Sequence, residues 1–157
     1  MRVIAQEAWR AQTWKNGAGI THEIWRTPDL DDYDVRVSLA EVTRPGAFSL
    51  FPGYRRWSVL VGTAPIELVH DQTFQLVTAG DHIELPGEAP ITANLRAGTT
   101  HLLNVIARGP VAVGRGPVAH PVRFVFALVS RPRLGRWESA VHEPPASTDT
   151  TDCVWIA

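Results

Sequence analysis

Hydrophobic and polar residues alternate with a period of two along much of this 157-residue chain. Tyr33, Val35, Val37 and Leu39 interleave with Asp34, Arg36, Ser38 and Ala40, the pattern of a half-buried strand. Residues 57–61, 66–69, 74–77, 83–85 and 102–107 read as further strands. Residues 122–129, the longest apolar run, read as a central one. Pro-Gly or Gly-Pro pairs at 45–46, 52–53, 86–87, 109–110 and 116–117 punctuate these runs. No amphipathic helix stands out, and residues 134–142 suggest at most a short turn. Many short strands at regular turn spacing predict an all-β sandwich or barrel.

The length predicts one domain over residues 1–142. Residues 143–152 (EPPASTDTTD) are polar and read as a loose linker. The apolar Cys153-Val154-Trp155-Ile156 then docks on the same domain as a last edge strand. Both halves are strand-rich, which fits a duplicated β architecture. The net charge of -1, from 15 basic and 16 acidic residues, gives no electrostatic footprint for nucleic acid or an anionic membrane. No secretory signal opens the chain and no apolar run reaches a membrane span, so the expectation is a cytoplasmic protein. Cys153 is the only cysteine, which rules out an intrachain disulfide. Edge strands leave room for a homodimer.

Two segments carry more special residues than a turn requires. Trp14-Lys15-Asn16-Gly17-Ala18-Gly19 sets an aromatic, a cation, an amide and two glycines before a strand-like run. Phe48 to Arg56 sets Ser49, Phe51 and Arg56 around Pro52-Gly53, a type II turn signal. An aromatic wall with a few placed polar groups is the usual make-up of a small-ligand site, and Trp14 is the best wall candidate. Arg36 and Ser38 share one strand face. That face is either solvated or the lining of a barrel lumen, and the pattern leaves both open. Glu41 lies close by and is a candidate acid-base group. The six histidines have no paired spacing that marks a metal site, and no metal or other cofactor is expected. Nucleophile elbows and phosphate loops are absent.

Taken together, WKNGAGITHEI (14–24), YDVRVSLAEV (33–42), GAFSLFPGYRRWSVLVG (46–62), LPGEAPITANLRAG (85–98) and LLNVIARG (102–109) resemble the HutD/Ves family of small bacterial proteins. The resemblance spans about the first 110 residues. It implies a cupin-type double-stranded β-helix in a compact bicupin arrangement. It also implies a regulatory role in histidine utilisation through a small carboxylate such as urocanate or a formylated glutamate, with no established enzymatic activity. Ves relatives are linked to environmental stress. The pocket contributors it implies are Trp14, Lys15, Asn16 and Thr21, then Arg36, Ser38 and Glu41, then Ser49, Phe51 and Arg56, and finally Asn104. The chain departs from the family pattern at Ala18, Val35 and Leu102-Leu103, where Gly, Trp and Asp-Phe are usual. An enzyme of the isomerase or hydrolase type, with Glu41 as base, is the alternative reading. A third is a protein-interaction module in which these segments only brace the barrel.

Overall fold

The structure is a computed structural model that describes residues 1–119, 121–128, 136–146, 150 and 152–157, with backbone alone for 143–145. β1 (Arg2–Ile4) and a 3-10 turn (Gln6–Ala8) come first. They are followed by β2 (Arg10–Thr13), β3 (Gly19–Thr27), β4 (Val35–Val42), β5 (Gly46–Ala47) and β6 (Arg55–Leu60). Then come β7 (Ile66–Val69), β8 (Thr73–Leu76), β9 (His82–Pro86), β10 (Thr92–Leu95) and β11 (Thr100–Ala107). The last four are β12 (Val113–Arg115), β13 (Val122–Ala127), β14 (Ser139–Ala146) and β15 (Cys153–Ile156). The protein is all-β, and no helix among the described residues is long and apolar enough to cross a membrane. Two compact units form, one of Arg10–Gly109 and one of Met1–Trp9 with Pro110–Ala157.

The Arg10–Gly109 unit consists of two antiparallel sheets. The larger has the order β2-β3-β4-β11-β6-β9 and the smaller β5-β10-β7-β8. Each ends in edge strands, so neither closes into a ring; of the sandwich and barrel expected from the strand pattern, two open sheets are what forms. They bury one shared core. Ala40, Val42, Leu60 and Leu102 come from the larger sheet, and Ile66, Leu68, Leu76 and Ala93 from the smaller. Ile91 and Phe48 complete it.

Register places this core at one end of a sheet face and polar groups at the other. Across β4, β11 and β6 the residues align in rows: Ala40–Leu102–Leu60, Ser38–Asn104–Ser58 and Arg36–Ile106–Arg56. The apolar row packs in the core and fixes the register, because a one-residue slip would turn every side chain to the wrong face. The polar rows are therefore held on the inner side as well.

The turn after β5 shows why Pro52-Gly53 stands where it does. Gly53 has φ 83°, and the Tyr54 amide donates to the Phe51 carbonyl at 3.2 Å, closing the expected type II turn. That turn is clamped to Gly87. The Phe51 amide donates to the Gly87 carbonyl at 2.7 Å, and the Gly87 amide to the Tyr54 carbonyl at 2.6 Å.

In the Met1–Trp9 and Pro110–Ala157 unit the sheet order is β1-β14-β13-β15-β12. Phe124, Phe126 and Ile156 are fully buried there. The terminal strand β15 lies between β13 and β12 and is not the edge strand expected. Antiparallel pairing on both sides buries Cys153 and Val154. β14 begins inside the stretch read as a turn and runs through 143–146, the start of the stretch read as linker, because residues 139–141 pair with β1 and β13. Val129, residues 134–135 and most of 147–151, which fell under those readings, lie outside the described residues.

A Cβ added at Gly87 would overlap the Phe51 carbonyl oxygen, whereas one at Gly109 would meet nothing within 4 Å. Gly87→Ala is expected to destabilise the protein by about 1–3 kcal/mol, the cost of overpacking. Gly109→Ala is expected to stay within about 0.5 kcal/mol of wild type. Chemical denaturation of the two variants side by side checks this.

Candidate functional site

The polar rows open into a cavity of about 360 Å³ within the Arg10–Gly109 unit. Arg56 forms its deep end. The residue is only 4% exposed, and its Nε and Nη1 have no hydrogen-bond partner among the described residues. Its guanidinium lies 4.9 Å from the Phe51 ring centroid and 5.5 Å from that of Phe48, so aromatic faces support the charge without neutralising it. Burial pushes its pKa down from the usual 12.5 to about 10; nearby Tyr33 offsets a little of the push and Arg36 adds to it. That corresponds to roughly 3 kcal/mol against the charged form in this position.

Beside it, the Ser58 hydroxyl donates to Asn104 Oδ1 at 2.7 Å. This fixes the amide and leaves its NH₂ group, a pure donor, without a described protein partner. Ser38 is buried in the same row and its hydroxyl has no described partner either. Arg36 differs, since its Nε donates to Glu23 Oε2 at 2.7 Å. The deep end therefore presents donors, and no Asp or Glu among the described residues lines the cavity.

The first loop supplies the wall. Trp14 Nε1 donates to Thr21 Oγ1 at 2.8 Å, and the indole packs edge-on against Phe48 at 5.4 Å. Asn16 makes two hydrogen bonds: Oδ1 accepts from the Ala18 amide at 3.0 Å, and Nδ2 donates to the Ala47 carbonyl at 3.1 Å. These bonds tie the loop to β5, and Asn16 also lines the cavity. Lys15 is exposed and its ammonium has no described partner. Ser49 and half-buried Phe51 complete this side.

Trp14, Lys15, Asn16, Thr21, Arg36, Ser38, Ser49, Phe51, Arg56 and Asn104 all line this one cavity, and Glu41 does not. Strand parity is the reason: residues 36 and 38 share a face of β4, and residue 41 falls on the other. There Glu41 pairs in register with His101, its Oε2 3.8 Å from the imidazole Nε2. Gln12, Thr13, Ala47, Phe48 and Ile106 also line the cavity and were not anticipated. Phe48 sits in a segment the sequence singled out, while Ile106 is identifiable only from register. Among the described residues, no three His, Cys, Asp or Glu side chains gather as a metal site.

The HutD family matches residues 6–130. A Pseudomonas putida protein described as an uncharacterized 21.2 kDa protein in the hutC 3' region is 31% identical over 109 residues, 68% of this chain and 57% of its own. Protein Ves from Citrobacter koseri is 34% identical over 99 residues, 60% of this chain and 51% of its own. The chain thus spans little more than half the length of these curated relatives. HutD from Pseudomonas fluorescens SBW25 superposes with a TM-score of 0.82 at 24% identity, covering 98% of this chain and 95% of that one. A conserved protein of unknown function from Pseudomonas aeruginosa PAO1 superposes at 0.80 with 21% identity, covering 99% and 95%. These two likenesses are of fold. Given the span of the family match, the chain belongs to the HutD family.

Proposed function

We propose that the cavity binds a small carboxylate metabolite, of the urocanate or formyl-glutamate type, and that binding serves a regulatory role in histidine utilisation in the cytoplasm. The observation that carries this reading is the buried guanidinium of Arg56, which lines a cavity with no acidic side chain among its described lining residues. A carboxylate would satisfy it with charge-assisted hydrogen bonds. The Asn104 amide and Ser38 hydroxyl would donate to the same anion, Trp14 and Phe51 would flank the apolar body, and Lys15 would meet a second polar end. A volume of about 360 Å³ suits a metabolite of that size. The two-sheet unit serves this reading as a cupin-type scaffold, and no cofactor enters it. An enzyme using Glu41 as base is less well supported, because that carboxylate is not in the cavity lining.

Titration calorimetry with urocanate and N-formyl-glutamate tests the ligand. Saturable binding by either supports the reading, and no heat from both up to millimolar concentration refutes the ligand class. Arg56→Met separates a binding role from a structural one. Replacing an unpaired buried cation by an apolar side chain of similar length is expected to leave stability unchanged or raise it by about 1–3 kcal/mol. It is also expected to weaken carboxylate binding at least about tenfold, a loss typical of a removed charge-assisted pair. Denaturation and calorimetry on that variant check both; a loss of stability would instead mark Arg56 as a structural brace.

A further inference from the structure

A carboxylate outside the cavity lining sets the charge inside it. Glu23 on β3 is half-buried, with its side chain 11% exposed, and it serves three arginines. Its Oε2 accepts from Arg36 at 2.7 Å, while its Oε1 lies 2.9 Å from Arg10 Nη2 and 3.6 Å from Arg26 Nε. Asp29 takes Arg10 at 3.0 Å and Arg26 at 2.9 Å, and Asp31 takes Arg26 at 3.4 Å. Three guanidinium groups thus face three carboxylates, and the cluster is neutral.

Local backbone geometry builds this cluster. The β3–β4 register shifts between Glu23 and Trp25, so Glu23 stands opposite Ser38 while Arg26 stands opposite Arg36. The bulge places Glu23 and Arg26 on the same face as Arg36, where plain alternation would have separated them. Two arginines directly opposite each other repel, and Glu23, one row away, offsets that repulsion.

We propose that Glu23 is a specificity-determining positioning residue that limits the deep end of the cavity to a single negative charge. Arg36, held by Glu23, contributes shape and donors but no net charge, which leaves Arg56 as the uncompensated cation of the deep end among the described residues. The site then takes one carboxylate at its deep end. It does not favour a compact dianion, whose second charge would sit beside Glu23. A ligand with two well-separated charges remains acceptable, because Lys15 is exposed and free to meet the far one. The inference rests on the carboxylate reading of the cavity and adds the charge class.

The test uses acetate as the monoanion and malonate as the compact dianion, titrated at constant ionic strength near neutral pH and followed by nuclear magnetic resonance. The quantity read is the ratio of malonate to acetate affinity. Glu23→Gln is expected to raise it about tenfold, as one compensating charge leaves a partly buried site. Arg36→Gln should lower the ratio, and the double variant, which removes one charge of each sign, should return it toward wild type. A merely structural role would not move the ratio in opposite directions. If Glu23→Gln does not fold, Arg36→Gln and the double variant carry the same test. A ratio that stays within threefold of wild type across the folded variants overturns the inference and leaves the carboxylate reading standing. Wild-type protein that binds neither anion overturns the inference, while the carboxylate reading falls only if urocanate and N-formyl-glutamate also fail to bind.

Discussion

A buried guanidinium without a counter-ion among the described residues constrains much of the Arg10–Gly109 unit. Taking a cation out of water is costly unless it is paired, and leaving one unpaired costs more than omitting it. The fold accommodates Arg56 by surrounding it with the faces of Phe48 and Phe51. These rings are useful only if they are held in place. Phe51 is fixed by the type II turn and its two hydrogen bonds to Gly87. Phe48 donates its amide to the Ile91 carbonyl at 2.9 Å and packs against Trp14. Trp14 in turn is fixed by Thr21, and its loop by Asn16. Side chains that look like a collection of ligand contacts in the sequence thus divide into two groups. One faces the cavity with unused donors, and the other holds the walls around a strained charge.

The same three central strands carry core and cavity. Along β4, β11 and β6 the inner face passes from Ala40, Leu102 and Leu60 to Ser38, Asn104 and Ser58, then to Arg36, Ile106 and Arg56. No hinge or domain boundary separates the two regions. The apolar rows supply the burial that stabilises the sandwich, and rigid pairing transmits their register to the polar rows two and four residues away. Precision at the cavity therefore derives from the core, as expected where a binding constellation sits on strands rather than on loops alone.

Period-two alternation and Pro-Gly punctuation made the strands of the Arg10–Gly109 unit legible, because both signals are local. The meaning of Arg36 was not legible to the same degree. Alternation states that residues 36 and 38 share a face, but it does not say whether that face meets solvent or a cavity; only the pairing with β3 and β11 decides. Parity did hold the information that Glu41 belongs to the opposite face, since 36 and 41 differ by an odd number. The double engagement of Asn16 was hidden, because Ala47 lies 31 residues away. The bulge that brings Glu23 and Arg26 to one side of β3 leaves no trace in hydrophobic periodicity. Toward the C-terminus, Pro144 and Pro145 argued against a strand, yet β14 extends through them, and the apolar tail lies between two strands rather than at an edge.

Ile106 makes the sharpest argument about what this arrangement is for. It stands in one row between Arg36 and Arg56, directly opposite both in register. Neighbouring strands lie about 4.8 Å apart, so an acidic residue at that position could reach either guanidinium. Such a residue would turn the deep end into a conventional ion-paired cluster and offset part of the desolvation penalty on Arg56. The fold shows that it can build such a cluster, because Glu23, Asp29 and Asp31 do so for Arg10, Arg26 and Arg36. At Ile106 it instead places an apolar side chain that is itself 1% exposed and carries no hydrogen-bonding group. A buried cation left without such a partner costs more than a paired one. An isoleucine there leaves Arg56 without a carboxylate beside it in that row. This is the chemistry expected when the counter-charge comes from a ligand.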